Sequence, residues 1–205
     1  MKAEILNEKK IEKAAKILKN SGLVVFPTET VYGVGALANK NGYEELVKAK
    51  RRPPEKPFTI MLADKEDISR FAKIGKRAKA VINAYMPGMI TILLAPLDGV
   101  PSWITLSSPR IGIRIPDSQY VLDLIRAVGE PLFVTSANKS GETTPKDFEE
   151  AYKSLGDSVS AVVKGQCSSG LASTIVDVGD ENDIKLIREG PIPFADIKKI
   201  WEEAE

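Results

Sequence analysis

The sequence predicts an α/β domain built on a mixed β-sheet, and three observations carry that expectation. Short apolar runs of strand length alternate with segments of helical periodicity along most of the chain. Several of those runs, such as "LVVF" and "MITILLAP", are continuously apolar, as strands covered on both faces are. Near the C-terminus strand patterns follow one another without a helix between them, which favours a mixed over a purely parallel sheet.

Taken in order, "NEKKIEKAAKILKNSG" sets Ile11, Ala14, Ala15 and Leu18 on one helical face, with Asn7 as N-cap and Gly22 as the stop. "LVVFP" is a buried strand ended by proline. The helix "NGYEELVKAK" leads into "RRPPEKP", where prolines enforce an extended loop. "FTIMLA" reads as a strand, "KEDISRFAKI" and "GKRAKAVINAYM" as helices, "MITILLAP" as a strand and "RIGIRIP" as an alternating strand. "SQYVLDLIRAVG" is helical, "PLFVTSAN" is a strand opening into a polar turn, and "PKDFEEAYKSLG" is a helix with proline at its start. "SAVVKG", "STIVDVG" and "IKLIREG" are strands, and "PFADIKKIWEEAE" is a terminal helix.

Composition narrows the chemistry. The 205 residues, 43% of them apolar, suffice for one sizeable core, so a single domain over residues 1–205 is expected. With 29 basic against 28 acidic residues the net charge is +1, and any basic surface must be local. The lone Cys167 excludes a disulfide framework and multi-cysteine metal sites. The absence of histidine rules out Ser/His and Cys/His relays and histidine-ligated metals. Neither an N-terminal apolar segment nor a run of membrane-spanning length is present, so a cytoplasmic setting is expected.

Familiar phosphate signatures are missing: there is no "GxxxxGK[ST]" run, and "GVGALAN" fails the dinucleotide glycine spacing. Polar clusters instead stand where apolar elements give out, the usual place for ligand sites in open α/β sheets. "FPTETVYGVG" is too polar for a core strand and reads as a floor on which something small is held. In "KAKRRPPEKP", Lys50, Arg51, Arg52 and Lys56 concentrate cations on a proline-stiffened segment suited to polyphosphate, with a solvated basic loop as the plain alternative. "TSANKSG" alone is no more than a polar turn. In "RIGIRIPD", alternation sets Arg110, Gly112 and Arg114 on one face and Ile111, Ile113 and Ile115 on the core face. Two arginines side by side repel one another, which plain solvent tolerates, and they are also the arrangement that holds a carboxylate or phosphate.

Together and in this order, "FPTETVYGVG", Lys50 and Arg52 of "KRRP", "GIRIP", "TSANKSG" and "ASTIVD" resemble the motifs of the YrdC/TsaC family, over about residues 10 to 190. The resemblance implies a YrdC-like domain, a twisted mixed sheet flanked by helices with a concave ligand-binding face. It implies synthesis of L-threonylcarbamoyladenylate from L-threonine, bicarbonate and ATP, with release of pyrophosphate, for modification of the adenosine beside the anticodon of certain tRNAs. Carried over by position, Lys50 and Arg52 would be catalytic and face the phosphates. Lys56, Arg110, Asn138, Lys146 and Arg188 would join them on ATP. Thr30, Met61, Arg114, Ser136 and Ser173 would hold L-threonine, and Tyr32 would shape the wall. Magnesium would arrive on the ATP phosphates, with no metal held by protein side chains. Partners would be tRNA or the downstream threonylcarbamoyl transferase, and no membrane.

Two departures stand out. Many relatives have histidine near the place of Met61, and some continue into a second domain whose linker closes the site, so this chain resembles the short form. Two competing readings are a structured-RNA-binding module, against which the near-zero net charge argues, and the carbamoyl-adenylate step of hydrogenase maturation, whose acylphosphatase and cysteine-rich zinc segments are not in this sequence.

Overall fold

The computed structural model describes residues 2–53 and 57–204. In chain order its elements are β1 (Glu4–Asn7), α1 (Ile11–Lys19), β2 (Val24–Phe26), β3 (Gly33–Leu37), α2 (Lys40–Lys50), β4 (Thr59–Met61), α3 (Lys76–Tyr85), β5 (Ile90–Leu94), the single-turn α4 (Ser102–Thr105), β6 (Ile111–Arg114), α5 (Gln119–Val128), β7 (Leu132–Ser136), α6 (Phe148–Leu155), β8 (Ala161–Lys164), β9 (Thr174–Asp180), β10 (Asp183–Arg188) and α7 (Phe194–Glu203). Among the described residues the ten strands form one sheet in the order β1-β8-β2-β3-β7-β4-β6-β5-β9-β10. Parallel pairs (β1 with β8, β4 with β6, β5 with β9) mingle with antiparallel ones (β2 with β3, β3 with β7, β9 with β10), so the sheet is mixed as expected.

Side-chain alternation divides the core between the two faces of this sheet. One face carries Val34, Ile60, Ile92, Ile113, Phe133 and Val176, covered by apolar residues of α2, α3, α6 and α7, among them Leu46, Val81, Leu155 and Trp201. The other carries Val24, Phe26, Leu132 and Val163, covered by only two helices: α1 with Ala14, Ala15 and Leu18, and α5 with Val121, Leu124, Ile125 and Val128. Each large apolar side chain so buried contributes about 1.5–3 kcal/mol. Where α1 and α5 stop, the second face of the sheet is open.

Local chemistry explains the helix ends. Asn7 caps a short 3-10 turn, Glu8–Lys10, by accepting from Lys9 N at 3.1 Å, and that turn delivers the chain into α1. The reversal after α1 falls on Ser21, at φ 63°, and not on Gly22. Gly22 is needed for space instead, since a Cβ there would lie 2.6 Å from Ile17 Cγ2. The helix expected in "KEDISRFAKI" is a 3-10 helix over Lys65–Arg70. The sequence patterns gave no sign of β1, β3 or α4. No helix of the described residues is long and apolar enough to cross a membrane.

Candidate functional site

The open part of the second sheet face forms the floor of a cleft of about 380 Å³. The strands crossing it contribute, mostly by alternation, Gly33 from β3, Val134, Thr135 and Ser136 from β7, Thr59 and Met61 from β4, Gly112 and Arg114 from β6, Thr91 and Leu93 from β5, and Ile175 from β9. They face one another across the ladders, with Gly33 beside Ser136, Thr59 beside Val134, Met61 beside Arg114, Leu93 beside Gly112 and Thr91 beside Ile175. Thr28 and Thr30, Arg52 and Pro57, Ser108 and Arg110, Thr144, Ser173 and Arg188 make the walls. As the alternation of "RIGIRIP" predicts, Ile111, Ile113 and Ile115 are buried in the core while Arg110, Gly112 and Arg114 line the cleft.

Four guanidinium groups from three segments of the chain share this space. Arg110 Nε donates to Asp177 Oδ1 at 2.6 Å. Arg114 Nη2 donates to Glu29 Oε1 at 2.6 Å and to Thr30 Oγ1 at 2.9 Å. Arg188 donates from Nε and Nη2 to Ser173 O, at 3.1 and 2.8 Å. Arg52 donates from Nη2 to Pro57 O at 3.1 Å and stacks 4.8 Å over the Phe58 ring. Burial and then the Arg114 charge lower the pKa of Arg188, and burial lowers that of Arg52. Arg110 and Arg114 are thus paired with the carboxylates of Asp177 and Glu29, and the described lining residues include no Asp or Glu. An anion of multiple charge is the natural complement of such a cleft. Beside the cations lie hydroxyls: Thr28 and Thr30 are in contact at 2.8 Å, and Thr91 and Ser173 at 2.9 Å.

Of the residues singled out from the sequence, Thr30, Arg52, Met61, Arg110, Arg114, Ser136, Ser173 and Arg188 converge on this cleft. Met61 is 2% exposed, and its thioether offers the floor no hydrogen-bond donor. Lys56 lies outside the described residues. Lys50, Asn138 and Lys146 are not among the lining residues. Lys50 ends α2 on its buried side, four residues after Leu46, and its Nζ donates to Ser136 O and Asn138 O, so it clamps the turn after β7 from within. Burial and then Arg52 lower its pKa to about 8. Arg51, at φ 49°, then turns the chain so that Arg52 reaches the cleft. Asn138 is buried, donating from Nδ2 to Lys139 O and Glu142 O at 3.0 and 2.8 Å, while its Oδ1 has no partner among the described residues. Lys146 is exposed just outside the wall.

Tyr32 does not shape the cleft. It is fully buried on the opposite side of the sheet, where its hydroxyl bonds to Val163 O and Gly165 O and accepts from Gly165 N, and burial pushes its pKa up to about 12. Conversely, sequence reasoning gave no role to Glu29 or Thr91. Their signals were present: a carboxylate between two threonines, and the single hydroxyl of "MITILLAP". Among the described residues no group of three or more His, Cys, Asp or Glu side chains could hold a metal ion.

Comparison with known proteins brings these features together. The Sua5/YciO/YrdC family model, described as "Telomere recombination", matches residues 16–190. A Methanocaldococcus jannaschii protein, provisionally named a threonylcarbamoyl-AMP synthase, is 35% identical over 195 residues, covering 92% of this chain and 91% of its own. The threonylcarbamoyl-AMP synthase of Pyrococcus abyssi is 32% identical over 203 residues, which cover 98% of this chain but 59% of that protein. The crystal structure of P. abyssi Sua5 complexed with L-threonine superposes with a TM-score of 0.90 at 31% identity, over 96% of this chain and 60% of that one. Escherichia coli YciO superposes with a TM-score of 0.83 at 25% identity, over 93% of this chain and 97% of its own.

Proposed function

Because the chain belongs to the Sua5/YciO/YrdC family, we propose that it is an L-threonylcarbamoyladenylate synthase, joining L-threonine, bicarbonate and ATP and releasing pyrophosphate. The observation that carries this reading is the convergence of Arg52, Arg110, Arg114 and Arg188 in one cleft beside the hydroxyls of Thr28, Thr30, Thr91 and Ser173. A triphosphate answers the cations, and a small zwitterion with a hydroxyl side chain answers the rest. The name and bound L-threonine of the P. abyssi protein support the same division.

In this scheme Arg52, Arg110 and Arg188 take the nucleotide half, with Lys146 at the rim and Lys56 and Asn138 as further nucleotide contacts. Thr30, Met61, Arg114, Ser136 and Ser173 take the amino-acid half. Lys50 serves the nucleotide half by holding the Ser136–Asn138 turn. The amine of threonine adds to bicarbonate to give the carbamate and water. A carbamate oxygen then attacks the α-phosphorus, forming the mixed anhydride as the bond to pyrophosphate breaks. No protein nucleophile is required, which suits a chain without histidine. Alignment and neutralisation of developing charge do the work, and the arginines supply both. Since no carboxylate of the described residues lines the cleft, magnesium would enter on the phosphate oxygens and supply further charge neutralisation there. The adenylate would pass to the transferase that modifies tRNA, in the cytoplasm.

The test is a pyrophosphate-release assay in which each substrate is omitted in turn. Release that requires ATP, L-threonine and bicarbonate together is the expected result. Turnover indifferent to threonine or bicarbonate overturns the assignment.

A further inference from the structure

The turn after β2 holds a carboxylate to which the scheme above gives no task. Glu29 is 6% exposed and does not line the cleft. Its Oε1 accepts from Arg114 Nη2, while its Oε2 is buried without a partner among the described residues. Burial of a carboxylate is unfavourable unless it is paired, so what its contact does for Arg114 matters.

Counting protons gives the answer. Nη2 of a guanidinium carries two protons and belongs to both forked edges, the one shared with Nε and the one shared with Nη1. In Arg114 these two protons go to Glu29 Oε1 and Thr30 Oγ1, so both forks are anchored at one atom. Nη1 makes no hydrogen bond to the described residues. The hydroxyls can be assigned in the same way. Thr28 Oγ1 donates its one proton to Val31 O at 2.8 Å and accepts from Thr30 N at 3.1 Å. Val31 N is a second, longer donor to Thr28 Oγ1 at 3.3 Å; with the Thr28 proton on Val31 O, the proton at the contact between the two hydroxyls is assigned to Thr30. Thr30 Oγ1, already accepting from Arg114, is left able only to accept.

We propose that Glu29 is a positioning residue for the amino-acid half of the cleft: by fixing Arg114 Nη2 it sets a guanidinium donor, Nη1, beside an acceptor-only hydroxyl, Thr30 Oγ1. That juxtaposition fits a carboxylate flanked by an N–H or O–H donor, the pattern of an α-amino acid carrying a hydroxyl. The inference rests on the amino-acid assignment above and adds the residue that orients it.

Two variants separate position from charge. Glu29→Gln keeps the side-chain length and an oxygen for Nη2, whereas Glu29→Asp keeps the charge but retracts it by one methylene. With pyrophosphate release as the readout, Glu29→Asp is expected to raise the KM for L-threonine about tenfold, the equivalent of one hydrogen bond to a charged group. Glu29→Gln should stay within about threefold of wild type, and the KM for ATP should be unmoved in both. Equal KM values in all three proteins overturn the proposal. So does a larger threonine effect in Glu29→Gln than in Glu29→Asp, or a parallel rise in both KM values, which is general loosening. Wild-type protein that releases no pyrophosphate and shows no calorimetric binding of L-threonine overturns the functional assignment and this inference together. An active wild type with silent variants overturns the inference alone.

Discussion

Replacing Lys50 by methionine removes an interior ammonium while keeping the length of the chain that carries it. In the folded protein burial, and then Arg52, lower the Lys50 pKa from 10.5 to about 8. At 1.36 kcal/mol per unit, that difference is worth about 3 kcal/mol. The sign follows from proton counts: the folded state binds fewer protons than the unfolded state between these two values. The penalty for burying the charge is therefore complete below about pH 8 and is lifted as pH climbs toward 10.5. Between about pH 7.5 and about pH 9.5, wild type should gain about 2 kcal/mol of stability relative to Lys50→Met. The carbonyls of Ser136 and Asn138 lose a donor in the variant, but that loss is independent of pH and cancels from the comparison of slopes. Urea unfolding of both proteins at both pH values measures the difference. Parallel pH dependences, or a wild type that loses ground to the variant on going alkaline, would refute the reasoning.

Three further outcomes follow from the site. Arg52→Ala should fold, because its guanidinium is only half-buried, yet kcat for pyrophosphate release should fall about a hundredfold, or about 3 kcal/mol of barrier. Tyr32→Phe strands Gly165 N–H and should reduce stability in urea by about 1–3 kcal/mol, leaving the KM of each substrate within about twofold of wild type. Gly112→Ala places a Cβ 3.3 Å from Leu93 Cδ2, which must give by a few tenths of an ångström, and 3.5 Å from Thr59 Oγ1, so that its methyl intrudes on the floor. A KM raised about tenfold for at least one substrate, at a melting temperature close to that of wild type, is expected, and unchanged KM values would show that the floor is not in contact with ligand.

How much was legible in the sequence depended on how far apart the partners lie. The arginine alternation of β6 is a local pattern, and the strand bears it out. β3 was hidden because glycine weakens a strand on propensity grounds, whereas here Gly35 is required by its neighbour: a Cβ would stand 2.7 Å from the Phe26 ring. β1 is short and largely exposed, and becomes a strand only by pairing with β8, far along the chain. The burial of Glu29 depends on Arg114, 85 residues away, which no local pattern announces. For Lys50 a signal existed. Its spacing of four from Leu46 sets it on the inner face of α2, but a charge run beside prolines argued more loudly for the surface.

The half-covered sheet has a consequence for how such a protein can change. Along most strands beneath the cleft, scaffold and cleft side chains alternate, so the two sets are interleaved, with Met61 and Val134 belonging to both. Substrate preference can therefore drift by single exchanges at Thr59, Thr91 or Gly112 while Ile60, Ile92 and Ile113 hold the architecture unaltered. A lineage built on this plan can explore new small acids without first having to solve folding again.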